Sequence, residues 1–271
     1  MLYSPPKNDD RRRPRVLALA NQKGGVGKTT TTINLGTALA ATHKSVLIID
    51  LDPQGNASTG MGLKEDNRPV TTYEVLIGED TLNGAAMETA VPGLYVVPST
   101  RELSGAEIEL IDVERRERRL AEAIDALEGD WDYVLIDCPP SLGLLTLNAL
   151  VAADAVFVPL QCEFFALEGL SHLLRTVERV RQALNPRLEI QGVVLTMFDK
   201  RNNICDMVES DVRSHFGDKV YKTVIPRNVR VSEAPSFGKP ALLYDWRCKG
   251  SQAYIHLASE LIRREEQGVA A

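Results

Sequence analysis

The sequence predicts an α/β fold, a single doubly wound, mostly parallel β-sheet flanked by helices. Three observations predict it. Strand-like and helix-like patterns alternate along the whole chain, and the strand-like runs are apolar throughout, as strands buried on both faces are. Two of those runs end in aspartate, and another opens into a glycine-rich loop. Such alternation implies right-handed crossovers and a parallel sheet, whose ligands gather at the carboxyl ends of the strands. No Pro/Gly-rich linker interrupts the series, so the 271 residues read as one domain over 15–266. A polar, Pro-rich tail over 1–14 is expected to be disordered, with Arg11-Arg12-Arg13 as a solvated charge run. Residues 267–271 read as a short polar tail.

The first strand, Val16–Ala20, leads into Gln22-Lys23-Gly24-Gly25-Val26-Gly27-Lys28-Thr29-Thr30, and a helical pattern covers Thr29–Ala41. The usual phosphate-binding loop reads Gly, four residues, Gly-Lys-Ser/Thr. Here Gln22 replaces the first glycine and a second lysine, Lys23, follows it, which makes a deviant Walker A loop. Glycines let the backbone approach a ligand with no Cβ in the way. The N–H groups of the loop and of the helix N-terminus attract phosphate oxygens. Lys28 is expected to reach the β and γ phosphates of ATP, and the Thr29 hydroxyl to sit on Mg²⁺. Lys23 lies on the rising limb, poorly placed for its own β-phosphate, and suits another site such as a partner's nucleotide. The plainer alternative is a glycine-rich turn with two solvated lysines.

The second strand, Ser45–Asp50, runs into Asp50-Leu51-Asp52-Pro53-Gln54-Gly55-Asn56, where Pro53 and Gly55 mark a loop. Asp50 and Asp52, two apart, face one side of a continuing strand. A carboxylate is a weak base toward water, so Asp52 is expected to orient an attacking water rather than deprotonate it. Leu94–Pro98 is the next strand and Glu114–Leu127 the next helix. Trp131–Asp137 then ends in Asp137-Cys138-Pro139-Pro140-Ser141, the form taken by an acid that holds Mg²⁺ through water. Asp137 also reads as a helix N-cap or turn residue. Leu142–Val151, Leu167–Leu184, Cys205–Phe216 and Gln252–Glu265 are helical, and Ala155–Leu160, Ile190–Thr196 and Val220–Ile225 are strands. The loops Asp52–Gly60 and Cys138–Leu145 have the composition of segments that a γ-phosphate orders and hydrolysis releases.

Together with Ile225-Pro226-Arg227-Asn228-Val229-Arg230-Val231-Ser232-Glu233-Ala234-Pro235-Ser236, these segments make the chain resemble the ParA/Soj partitioning ATPases from about Arg15 to Arg264. The loop alone marks a wider group that includes MinD-type and nitrogenase-iron-protein-type ATPases; the last segment narrows it. The resemblance implies an ATP- and Mg²⁺-dependent switch, slow by itself. ATP closes two subunits into a homodimer in which Lys23 reaches the partner's phosphates and Gly24 lies at the contact. The dimer binds double-stranded DNA without sequence preference, and a ParB-type centromere-binding protein stimulates hydrolysis. By matched position, Lys23, Lys28 and Asp52 are catalytic, Thr29, Asp50 and Asp137 serve the metal, and Pro226-Arg227-Asn228 packs near adenine. The short stretch before the first strand speaks against a sequence-specific repressor role, and the implied location is cytoplasmic and nucleoid-associated.

The overall charge, 31 Lys+Arg against 37 Asp+Glu for a net of −6, does not announce a nucleic-acid binder, so such a role needs a local patch. Between Gly217 and Gly250 seven basic residues face three acids. The expected DNA contacts are Lys200, Arg201, Lys219, Lys222, Arg227, Arg230, Arg247 and Lys249, with Arg201 and Arg230 indicated by the resemblance. A solvated charge run is the alternative. No apolar run reaches transmembrane length, and the helix Gln252–Glu265 ends too acidic and polar for a lipid-binding anchor. The four cysteines, Cys138, Cys162, Cys205 and Cys248, form no Cys-x-x-Cys pair, which argues against a zinc or iron–sulfur site within the chain. A DNA-associated scaffold that binds nucleotide without turnover is the remaining rival.

Overall fold

A computed structural model of the chain describes residues 13–163 and 166–269. Of the expected N-terminal tail, residues 1–12 lie outside the described residues, as do residues 270–271 of the C-terminal one. Strands β1 (Arg15–Leu19) and β2 (Val46–Asp50) flank helix α1 (Lys28–Ala40). Four short helices follow: α2 (Asn56–Gly60), α3 (Thr72–Ile77), α4 (Leu82–Ala85) and, beyond strands β3 (Met87–Glu88) and β4 (Leu94–Val97), α5 (Leu103–Glu109). The alternation then resumes with α6 (Arg119–Asp125), β5 (Tyr133–Asp137), α7 (Leu144–Ala152), β6 (Ala155–Gln161), α8 (Ala166–Ala183), β7 (Glu189–Thr196) and α9 (Asn203–Phe216). Short α10 (Val229–Glu233) and α11 (Ala241–Tyr244) precede the last helix, α12 (Lys249–Val269).

The sheet order is β3-β4-β2-β5-β1-β6-β7, parallel throughout except for β3, which runs antiparallel to β4 at the edge. Successive side chains of a strand point to opposite faces, and the two cores divide accordingly. Leu17, Leu19, Val46 and Ile48 join residues of α1 and α12 on one face. Val16, Ala18, Leu47 and Ile49 join α3 and α5 to α9 on the other. Helix α1 lies between the sheet and α12, so even its hydroxyls are buried. Thr32 and Thr37 therefore donate to carbonyls one turn back, those of Lys28 and Ile33, at 3.1 and 2.8 Å. The apolar stripe of α12, Tyr254, Leu257, Ala258 and Leu261, is buried in the same core, as an anchor helix held against the domain would be.

Two elements depart from the sequence reading. The run Glu114–Leu127 is not one helix, because Arg115 takes a left-handed backbone (φ 57°) that breaks the helical path, and α6 starts only at Arg119. Val220–Ile225 forms no continuous strand. Val220 bridges Val193 and Pro226 bridges Phe198, but between them the N–H groups of Lys222 and Thr223 donate to the Glu260 carboxylate at 2.8 and 2.9 Å. A side chain of α12 thus takes the donors a strand would have spent on β7.

Candidate nucleotide-binding site

β1 and β2 lie on either side of β5, and both Leu19 and Asp50 are in register with Asp137, so the three carboxyl ends are level. The phosphate loop rises from β1. Gly25 and Gly27 have φ of 75° and 88°, the left-handed region that glycine enters without penalty, and Gly27 caps the N-terminus of α1. Thr196 at the end of β7 donates its hydroxyl to the Val26 carbonyl at 2.8 Å and so ties the loop to the sheet. Asn21 donates to the Pro159 carbonyl at 2.8 Å and accepts the Lys23 N–H at 3.1 Å. Lys28 is buried, with its ammonium on the Lys23 carbonyl at 3.2 Å. Burial pushes the Lys28 pKa down, against the upward pull of Asp137, Cys138 and Asp52. Desolvated and close to anions, it is held where a phosphate would restore its charge.

Asp50 and Asp137 are fully buried on neighbouring strands, and burial is the main reason both carboxyl groups titrate above the ordinary range, with the Asp50 charge raising Asp137 further. They differ in their partners. Asp50 accepts the Ser58 N–H and hydroxyl at 2.8 and 2.6 Å on one oxygen and the Asp52 N–H at 3.3 Å on the other. Asp137 accepts the Thr32 hydroxyl at 3.0 Å on Oδ1, while its Oδ2 is buried with no hydrogen-bond partner. A divalent cation would satisfy that orphaned oxygen and favour both charged carboxylates. The residues present therefore fit Mg²⁺, held by Asp137 and the Thr29 hydroxyl, with Asp50 shaping the loop below. Asp52, nearly buried, accepts the Gln54 N–H at 2.9 Å on Oδ1.

The Asp52 loop is fixed by Arg68, whose guanidinium donates to Ser99 O at 2.6 Å, Leu63 O at 2.7 Å and Thr59 Oγ1 at 2.8 Å. Gly55 lies under it at φ 60°, and a Cβ there would come within 2.5 Å of Arg68 Nη1 and 2.7 Å of Ser99 O. Gly55→Ala is expected to lower stability by about 1–3 kcal/mol, a melting shift of about 2–4 °C per kcal/mol in a domain of this size, measured by thermal denaturation. A second expectation concerns pH. An acid with a raised folded pKa binds more protons folded than unfolded, so its stabilising effect is complete below about pH 4 and is lost as pH rises through its folded value. In metal-free buffer the melting temperature should therefore fall between pH 5 and 8. Asp137→Asn should flatten that slope, as parallel melts would show.

A cleft of about 430 Å³ opens above these groups. Gly24, Gly25, Gly27, Lys28, Thr29, Thr30 and Asp52 line it on one side, and Pro226, Arg227 and Asn228 on the other. It also takes Gln54, Asn56, Pro140, Thr196, Met197 and Tyr254, which sequence reasoning missed. Of these, Gln54, Asn56 and Pro140 stood inside the loop motifs, Thr196 and Tyr254 inside an expected strand and helix, and Met197 in neither. Lys23 does not line the cleft; its ammonium pairs with Glu163. Among the eight expected basic contacts, the structure gathers six. Lys200 and Arg201 follow β7, where Arg201 pairs with Asp199 at 2.8 Å, and Arg227 donates its N–H to Phe198 O at 3.0 Å. Arg230 pairs with Glu233 and Asp245 at 3.2 and 3.7 Å, and Asp245 also accepts the Arg247 N–H at 3.1 Å, two residues before Lys249. Lys219 and Lys222 stand apart, beside the middle of β7.

Comparison with known proteins adds to this geometry. A family model described as an AAA domain matches residues 14–190. The chain is 66% identical over 253 residues to a chromosome partitioning protein ParA of Caulobacter vibrioides, covering 93% of this chain and 95% of that one. The chain belongs to the ParA/Soj family. It is likewise 49% identical over 253 residues to a chromosome-partitioning ATPase Soj of Treponema pallidum, covering 93% and 99%. Among solved structures, one named cobyrinic acid a,c-diamide synthase from Mycobacterium smegmatis, with bound ADP and magnesium, superposes with TM-score 0.83 at 40% identity, covering 94% and 96%. The seven-stranded sheet of this chain carries the glycine-rich loop at its carboxyl edge. The other readings of the motifs meet specific obstacles. Cys138, Cys162 and Cys205 are buried and Cys248 is half-buried. Among the described residues no helix is long and apolar enough to cross a membrane.

Proposed function

We propose that this ParA/Soj chain is a Mg²⁺-dependent ATPase that moves DNA cargo in the cytoplasm, and that ATP switches it from a monomer to a DNA-binding homodimer. The observation that carries this reading is the division of labour between two lysines five positions apart in one loop: Lys28 lines the cleft, while Lys23 stands outside it. One cation serves the chain's own phosphates. The other is left for a nucleotide approached from outside, as a face-to-face second copy would present.

The roles of the residues follow from their positions. The N–H groups of Gly24 to Thr30 and the Lys28 ammonium bind the phosphates. Thr29 and Asp137 hold Mg²⁺, which neutralises phosphate charge when bound. Asp52, with Oδ1 held by Gln54, keeps Oδ2 for the attacking water. Pro226, Asn228 and Tyr254 border the space for the base. Hydrolysis depends on positioning and charge neutralisation. A single protomer whose Lys23 is outside its own cleft is therefore slow, and speeds up when a second protomer and a ParB-type partner complete the charge. The loops after Asp52 and Cys138 then carry the state of the γ-phosphate to the surface.

Duplex DNA is assigned to Lys200, Arg201, Arg227, Arg230, Arg247 and Lys249, which surround the carboxyl edge. They present no recognition helix, so they contact phosphates and read no sequence. Doubling them in a dimer raises affinity steeply. DNA binding measured with no nucleotide, ADP and ATP should be strong only with ATP, in the parent chain and not in Arg230→Glu. Affinity should fall with salt at a slope of about −0.9 per phosphate contacted. Salt-insensitive binding that ignores nucleotide and Arg230 would refute the assignment.

A further inference from the structure

The structure holds Lys23 by three separate contacts, one to each of its polar groups. Its N–H donates to Asn21 Oδ1 at 3.1 Å, and its carbonyl accepts the Lys28 ammonium at 3.2 Å. Its own ammonium pairs with Glu163 of the same chain. Glu163 lies between β6 and α8 in a tight turn: its N–H donates to Gln161 O and its carbonyl accepts the Ala166 N–H, each at 2.9 Å. Asn21 in turn is buried and bonded to β6 through Pro159. Both ends of the Lys23–Glu163 pair are therefore fixed to the same strand. Yet the two side chains are 39% and 40% exposed, so the pair faces solvent and can open at little cost.

We propose that Glu163 is a positioning residue that keeps Lys23 within its own protomer and opposes dimer formation until ATP in a second copy draws the lysine away. This rests on the reading of Lys23 as the cation offered to a partner's nucleotide. A lysine cannot make a full ion pair with Glu163 and with phosphates across an interface at once. Each protomer must give up the internal pair before the dimer closes. Phosphates, with their greater charge, win the exchange; ADP, lacking the γ group, wins it less completely. Glu163 thus sharpens the distinction between the two nucleotides.

The expected size follows from the exposure of the pair. A half-exposed ion pair restrains each lysine by about two- to fivefold. A symmetric dimer releases two of them, so removing the charge should tighten the ATP-dependent dimer by about four- to 25-fold. The test is sedimentation velocity over a concentration series in Mg-ATP and in Mg-ADP, on Asp52→Ala protein to prevent turnover. The chains compared are the parent, Glu163→Gln and Glu163→Asp, with Lys23→Ala as control. Fluorescent-nucleotide binding to the monomer is measured beside it. Glu163→Gln should dimerise more tightly in ATP and begin to dimerise in ADP, with monomer nucleotide affinity unchanged, and Glu163→Asp should fall between it and the parent. An unchanged or weaker dimer in both Glu163 variants would overturn the role of Glu163. If the parent itself stays monomeric in ATP, or dimerises equally well with Lys23→Ala, it is the reading of Lys23 that fails.

Discussion

Lys28→Ala is expected to lower ATP turnover at least about 100- to 1000-fold, the loss that follows removal of one preorganised donor to developing charge. The effect should be large because Lys28 is buried among Asp137, Asp52 and the loop carbonyl of Lys23. Its depressed pKa shows that the fold alone does not repay the desolvation of its ammonium. Phosphate does, so nucleotide affinity should fall together with turnover. DNA binding should fall with them, since in the proposed switch the basic residues at the carboxyl edge act in pairs only once ATP is held. Nucleotide titration and a phosphate-release assay on the same preparation check both. Turnover within tenfold of the parent would remove Lys28 from the phosphates.

Lys23→Ala should give a different pattern. ATP should bind the monomer almost as before, because Lys23 does not line the cleft. The dimer should be lost, since truncating one member of a desolvated interfacial charge pair costs about 2–5 kcal/mol, and two such pairs close together. Turnover should drop by as much as about 10³-fold, in the range found for cations supplied in trans to phosphoryl transfer. Weak nucleotide binding with an intact dimer would place Lys23 in its own site instead. The contrast between the two alanine variants separates a cation that holds ATP from one that reads it.

Much of this was legible in the sequence, for physical reasons. The central strands β1, β2, β5 and β6 have helices on both faces, so their residues are mostly apolar and stand out from the amphipathic helices. The loop and its two following aspartates also stand out, because each sits at a strand end. In the region from α2 to α5 only the strand β4 was legible. Its helices have four to seven residues, too few for a 3.6-residue period to declare itself, although Thr71 and Glu74 form a capping box that could have marked α3. The two-residue edge strand β3 carries no pattern at all. Partners remote in sequence were hidden for a different reason. Thr32 meets Asp137 across 105 positions, and Glu163 meets Lys23 across 140. Nothing local distinguishes these residues from any other threonine or glutamate. The basic patch shows the limit of counting charge along the chain: Lys219 and Lys222 belong to the same run as Arg227 and Arg230 but lie beside the middle of β7, short of its carboxyl end.

The mass of the Asp52→Ala protein in solution tests the dimer switch most directly, because this variant keeps Lys23, Lys28 and the metal carboxylate Asp137 while removing the residue assigned to the attacking water. With Mg-ADP, light scattering behind a sizing column should give the 29.8 kDa of one chain; with Mg-ATP it should give twice that mass. A single-chain mass in saturating Mg-ATP, with nucleotide binding demonstrated in the same sample, would contradict the proposal that ATP joins two copies of this chain.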